Sequence, residues 1–218
     1  MDTASKNWRL VITGLLVCLF YSGYAAAQLP EADGTATSPV TGGDSIFSNE
    51  LMTPELFRQI VAKPGDHIPL MPELSDVPIW TNADVHIMMK YVSGKTFTEK
   101  ITQTTRTADG KYIIYTINSE FYHQTMSSIM TFDEKASTLK VYGLYSGGHG
   151  GDVITESAVV YDYAKKTYTG TSSYGDGFKE ITTGSYTSTN DFSNTLVYKN
   201  GALFMTREAL ATRVSSAN

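Results

Sequence analysis

The 218-residue sequence predicts an all-β fold: an antiparallel up-and-down barrel of about ten strands, preceded by one short helix. Two observations carry the prediction. From residue 83 onward, short segments of period-two alternation follow one another without a long break, as in a meander. Between them stand tight-turn residues and short loops. Parallel neighbours would need crossovers of a dozen or more residues, so neighbouring strands must be antiparallel.

The elements follow in chain order. Residues 1–27 have the three parts of a secretory signal peptide. Lys6 and Arg9 supply the positive start. Residues 10–21 (LVITGLLVCLFY) supply the apolar stretch, too short for the ~20 residues that cross a bilayer core. Ala25-Ala26-Ala27 supply the small residues before a cut, placed between Ala27 and Gln28. The expected location is therefore periplasmic or secreted, with no membrane span left after cleavage. Cys18, the one cysteine, lies inside the apolar stretch behind Val17, which is not the small residue that a lipid-attachment site requires. The exported chain then has no thiol or disulfide chemistry.

Residues 28–45 (QLPEADGTATSPVTGGDS) contain no aromatic residue and are rich in Gly, Pro, Ser and Thr. Such a stretch buries too little apolar area to offset its ordering entropy and reads as a flexible leader. Residues 46–82 hold the helix and an irregular segment. Thr53 is a helix cap, Pro54 suits the first helical position, and Glu55 favours the positive end of the dipole. Leu56, Phe57, Ile60 and Val61 recur at helical spacing, and Lys63-Pro64-Gly65 ends the run. Three prolines between His67 and Trp80 make an irregular connection. The helix is expected across a barrel end or a sheet face, where it or the loop 146–152 would partly close the mouth.

The barrel domain spans residues 83–213, with strands expected at 83–92, 95–107, 111–119, 124–132, 139–146, 153–162, 167–173, 178–187, 192–199 and 202–212. Ser93-Gly94, Asp109-Gly110 and Asn200-Gly201 are hairpin turns, the last a pair that takes positive φ at both positions. Phe97, Glu99, Ile101 and Gln103 share one strand face; Met126, Ser128, Met130 and Phe132 share another, as do Phe192, Asn194, Leu196 and Tyr198. These faces are expected to look inward. Their mixed polarity suits a barrel wide enough to hold water or a ligand. A lipid-facing barrel is excluded by Lys100 and Arg106 on one face of the second strand and Glu99 and Gln103 on the other.

Three stretches carry a family resemblance. Pro64-Gly65-Asp66-His67 with Leu70, Leu74 and Trp80, the hairpin 128–145 (SIMTFDEKASTLKVYGLY) and the hairpin 157–171 (SAVVYDYAKKTYTGT) are similar to a bacterial domain-of-unknown-function family with lipocalin-like (calycin) barrels. The similarity spans roughly residues 56–213. Pro78-Ile79 stands before Trp80 where that family has a Gly-x-Trp unit. The resemblance implies a fold and brings no activity with it.

Composition narrows the function classes. A net charge of −5 without a Lys/Arg cluster excludes nucleic acid as a partner. None of the four histidines has metal-ligand spacing, so neither a metal nor a cofactor is expected. Ser146 to Asp152 (SGGHGGD) is a flexible connection or a mobile lid around His149; no Gly-Lys-Ser/Thr follows, so it does not cradle phosphate. Glu99 and Glu156 sit among apolar neighbours on their strand faces, and Arg207 alternates with Leu203 and Met205. Each must meet a counter-charge, water or a ligand if buried. Tyr112, Tyr145 and Tyr186 combine apolar area with a hydroxyl and are expected to line the interior with Gln103. The leading reading is non-catalytic binding of a small, partly apolar ligand. The alternatives are an enzyme using Glu99 and Glu156 as acid and base, and a structural or interaction module with a partner in the cell envelope.

Overall fold

In the computed structural model, the described residues are 52–119, 124–146, 152–174 and 177–214. The stretches expected to be a signal peptide (1–27) and a leader (28–45), and most of the loop 146–152 with His149, lie outside them. Helix α1 (Pro54–Ala62) and the short helix α2 (Pro72–Ser75) precede ten strands. These are β1 (Asn82–Tyr91), β2 (Thr96–Ala108), β3 (Tyr112–Ser119), β4 (Gln124–Asp133) and β5 (Thr138–Ser146), then β6 (Asp152–Asp162), β7 (Thr167–Tyr174), β8 (Phe178–Tyr186), β9 (Asn190–Lys199) and β10 (Ala202–Arg213). Every strand pairs antiparallel with its neighbours in sequence, and β1 pairs with β10 from Ala83↔Arg213 to Tyr91↔Met205. The sheet is a closed barrel of ten strands.

The turns behave as their residues dictate. Asp109-Gly110 and Asn200-Gly201 have φ of 55°, 65°, 50° and 82°, the all-positive pattern of a two-residue hairpin whose twist matches its strands.

Helix α1 starts as expected: Thr53 Oγ1 accepts a hydrogen bond from the Leu56 amide at 3.1 Å. Its position differs from the expected mouth closure. Phe57 and Ile60 pack on Ala108, Ile114, Ile129 and Tyr142, all on the outside of the sheet, so α1 covers an outer face. The Arg106 guanidinium donates to the Val61 and Lys63 carbonyls and so holds the helix C-terminus.

The irregular segment after α1 closes one end of the barrel instead. Asp66 takes a hydrogen bond from the Asp109 amide at 2.7 Å, and the Met71 amide donates to Gly110 O at 2.8 Å, which ties the segment to the β2–β3 turn. From there α2 lowers Leu74 and Val77 between Ile113, Tyr115, Met130, Leu139, Val159 and Tyr168. Leu74 is fully buried. At this closed end Tyr168 lies opposite Gly184, and a Cβ on that glycine would stand 2.1 Å from Cζ of the ring. The missing side chain is what admits the tyrosine. The opposite end carries the β1–β2, β7–β8 and β9–β10 turns and is not crossed by either helix.

Candidate functional site

The inner surface follows from the alternation of burial along each strand. A broken tier of small and polar residues, with Tyr115 and the larger side chains of Glu180 and Arg207 among them, lies on the inner surface, several at directly paired positions. Thr105 pairs with Tyr115, Tyr115 with Ser128 and Ser128 with Gly143. Beyond them Ser157 pairs with Ser172, and Ser172 with Glu180. Thr182 and Thr195 share a hydroxyl–hydroxyl contact of 2.8 Å, and Thr195 stands opposite Arg207. Ten strands close a wider cylinder than eight, whose side chains can just fill the middle.

The charges inside are specific. Arg207 and Glu180 are both 0% exposed and form a two-pronged pair, Nη2 to Oε2 at 3.1 Å and Nη1 to Oε1 at 3.5 Å. Ser119 Oγ donates to Glu99 Oε1, and Gln103 Nε2 donates to Thr105 Oγ1 at 3.4 Å. Toward the closed end, the Tyr168 hydroxyl donates to Asp191 Oδ1 at 2.8 Å. Among the described inner residues, three carboxyl groups (Glu99, Glu180 and Asp191) therefore face one guanidinium, Arg207. Two hydroxyls differ from the rest: Ser128 Oγ and Ser172 Oγ are buried and meet no hydrogen-bond partner among the described residues. A buried hydroxyl left in that state costs roughly 1–3 kcal/mol.

The tyrosines near the closed end register this environment. Burial first, and then the negative charge of Asp191, push the Tyr115 hydroxyl far above its ordinary 10.0. Tyr161 is raised by burial, then by Tyr115 and Asp191. Below pH 10 both are neutral in the folded and unfolded chain, and their contribution to stability is complete. Above it the unfolded chain ionises first, so stability falls by about 1.4 kcal/mol per pH unit for each tyrosine. Equilibrium denaturation at pH 9, 10 and 11 is expected to show this decline; a flat profile would place these rings in water.

Solved structures offer one likeness to report. No family model and no curated protein matches the chain. A crystal structure of a protein of unknown function from the DUF3598 family, from Nostoc punctiforme PCC 73102, matches at 12% identity with a TM-score of 0.45. The alignment covers 70% of this chain and 53% of that one, so the chain spans about half the length of that protein.

The residues picked from the sequence separate into three groups. Glu99, Gln103 and Arg207 face the interior and are buried. Tyr186 also faces inward, in the closed-end cluster, with its ring 6.1 Å from that of Tyr161. Tyr112 and Glu156 do not line the interior. Tyr112 packs in the outer cluster beneath α1, with Lys63 Nζ 5.9 Å from its ring centroid. Glu156 is on the outer face of β6, bonded to Lys140, whose Nζ is also 3.7 Å from Asp133 Oδ2. The side chain of Tyr145 and all of His149 lie outside the described residues.

Glu99 and Glu156 consequently stand on opposite sides of the sheet and cannot act on one bond as acid and base. Glu180, Ser128 and Ser172 were not picked out as site residues. Glu180 alternates with Phe178 and Thr182, the same signal that marked Glu99.

One other feature of the described residues is less enclosed. An open groove of about 370 Å³ lies on the outside of β10, β1 and β2, along His86, Met88, Lys100, Glu208 and Leu210. No group of three or more His, Cys, Asp or Glu among the described residues could hold a metal ion. No helix among them is long and apolar enough to cross a membrane.

Proposed function

We propose that this chain is an exported carrier that holds a small, partly apolar, neutral or cationic molecule inside the barrel, entering at the end away from α2. The observation that carries the reading is the pair of buried, unpartnered hydroxyls, Ser128 and Ser172, facing inward in a tier of small residues. A bound molecule with one or two hydrogen-bonding groups would satisfy both, and Ile117, Met126 and Met130 would supply apolar walls. Pockets that bind small molecules combine apolar walls with a few such polar groups.

The charge preference follows from the interior inventory. Beyond the Arg207–Glu180 pair, which is neutral as a unit, the described interior holds the carboxyl groups of Glu99 and Asp191, and an incoming carboxylate about 4 Å from an ionised one meets repulsion of ~4 kcal/mol at an effective dielectric of 20. Export rests on the signal-peptide pattern of residues 1–27, and a cleaved leader would leave the barrel free in the periplasm or outside the cell.

The test is a titration with two fluorescent probes of similar size, neutral N-phenyl-1-naphthylamine and its anionic sulfonate relative. The neutral probe is expected to bind and the sulfonate to bind at least tenfold more weakly. Ser128→Ala and Ser172→Ala are expected to leave folding stability equal or raised. Together they should weaken a co-purified, hydrogen-bonding ligand by about tenfold per bond lost. No entry of either probe, or no difference between them, would defeat the proposal.

A further inference from the structure

The end of the barrel away from α2 carries an apolar tip that the interior does not use. Val92, Phe97 and Leu203 are 66%, 43% and 42% exposed, among the largest apolar exposures of the described residues. They are not scattered. The Val92 amide donates to Phe204 O at 3.1 Å, which fastens the β1–β2 hairpin to the β9–β10 hairpin. Behind them the rings of Phe97, Tyr91, Phe204 and Phe178 meet edge to face in an unbroken series, with centroids 5.5–5.7 Å apart. The tip therefore stands on a rigid aromatic base.

Its collar is basic. Lys90, Lys95, Lys179 and Lys199 are exposed around the tip, and none forms an ion pair among the described residues. Residues 90–98 and 198–204 contain no acidic side chain. Lys199 Nζ lies 5.0 Å over the Phe178 ring, which keeps the ammonium beside the apolar surface. This concentration occurs in a chain whose net charge is −5. At the opposite end the charges are mixed: Glu73, Asp76 and Glu134 are exposed, and so are Lys111, Lys135, Lys165 and Lys166.

We infer that this tip docks the end of the barrel away from α2 on the surface of an anionic lipid bilayer. Exposed apolar side chains would enter the headgroup boundary, and the lysines would meet lipid phosphates, the division of labour that interfacial binding requires. A mouth held at the bilayer places an interior site where apolar molecules are concentrated, although the docking stands on its own if the interior is empty.

Sedimentation with vesicles of neutral phosphatidylcholine, alone or with a quarter phosphatidylglycerol, tests this directly. At 20 mM salt the protein is expected to sediment with the anionic vesicles and not with the neutral ones, and 500 mM salt should release most of it. The double variant Lys90→Gln, Lys95→Gln should lower the partition coefficient roughly 25-fold, at about fivefold per lysine. Val92→Asp should abolish binding; its side chain is exposed, and an unchanged circular dichroism spectrum and melting midpoint would show the fold intact. Equal binding to both vesicle types, or no binding at low salt, overturns the inference. So does a dimer in solution that Val92→Asp converts to monomer without any vesicle binding, since that would assign the tip to a second copy of the chain.

Discussion

Replacing Arg207 with leucine is expected to lower the unfolding free energy by about 3–5 kcal/mol, the usual cost of removing one member of a buried ion pair. Neither Arg207 nor Glu180 is exposed, so no solvent screens the charge that remains. The pair also joins β10 to β8 across β9, so it braces the barrel wall as well as neutralising itself. Replacing both partners with apolar residues removes the stranded charge. The double variant Arg207→Met, Glu180→Leu should therefore recover most of the loss. Chemical denaturation at pH 7 reads both midpoints. If the double variant is as unstable as the single one, the pair is not a self-contained electrostatic unit, and the interior relies on each side chain separately.

The second large effect is expected at the closed end. Leu74 is fully buried among the residues of β3–β7, and Leu74→Ala should cost about 2–5 kcal/mol, with the larger values if the cluster fails to collapse into the space. Leu56, only partly buried at the edge of the outer cluster, should cost clearly less when changed in the same way. The comparison separates a plug from a surface helix. Denaturation midpoints give the energies, and the rate at which a bound neutral probe leaves gives the function: Leu74→Ala should speed release, and Leu56→Ala should not. A cost below about 1 kcal/mol at Leu74 would mean that α2 rests on the barrel without sealing it.

Much of this architecture could be read from the chain because a meander writes its own punctuation. Asp109-Gly110 and Asn200-Gly201 require positive φ, and alternation does the rest, so every strand was placed within about two residues of its observed limits. The direction of each face was harder. On β9 the apolar set Phe192, Leu196 and Tyr198 was expected inside, yet Asp191, Ser193, Thr195 and Val197 are the buried residues. A sheet whose outside is partly covered can be apolar on both faces, and alternation alone then has no sign. Glu156 and Tyr112 were misplaced for the same reason: their apolar neighbours serve α1 on the outer surface. Partnership was least legible. Nothing local to Arg207 points to Glu180, 27 residues away, because their meeting depends on how β8, β9 and β10 register and curl as the sheet closes.

That closure also governs how the chain can associate and how it can fail. A strand flanked on both sides has no spare row of amide and carbonyl groups, so among the described strands none offers another chain a template to extend. Protection of this kind is indivisible. Nine ladders link consecutive strands, but one seam, β1 to β10, unites the beginning of the domain with its end. Unfastening that seam would bare two long margins at once and take the apolar tip, which straddles it, apart with them.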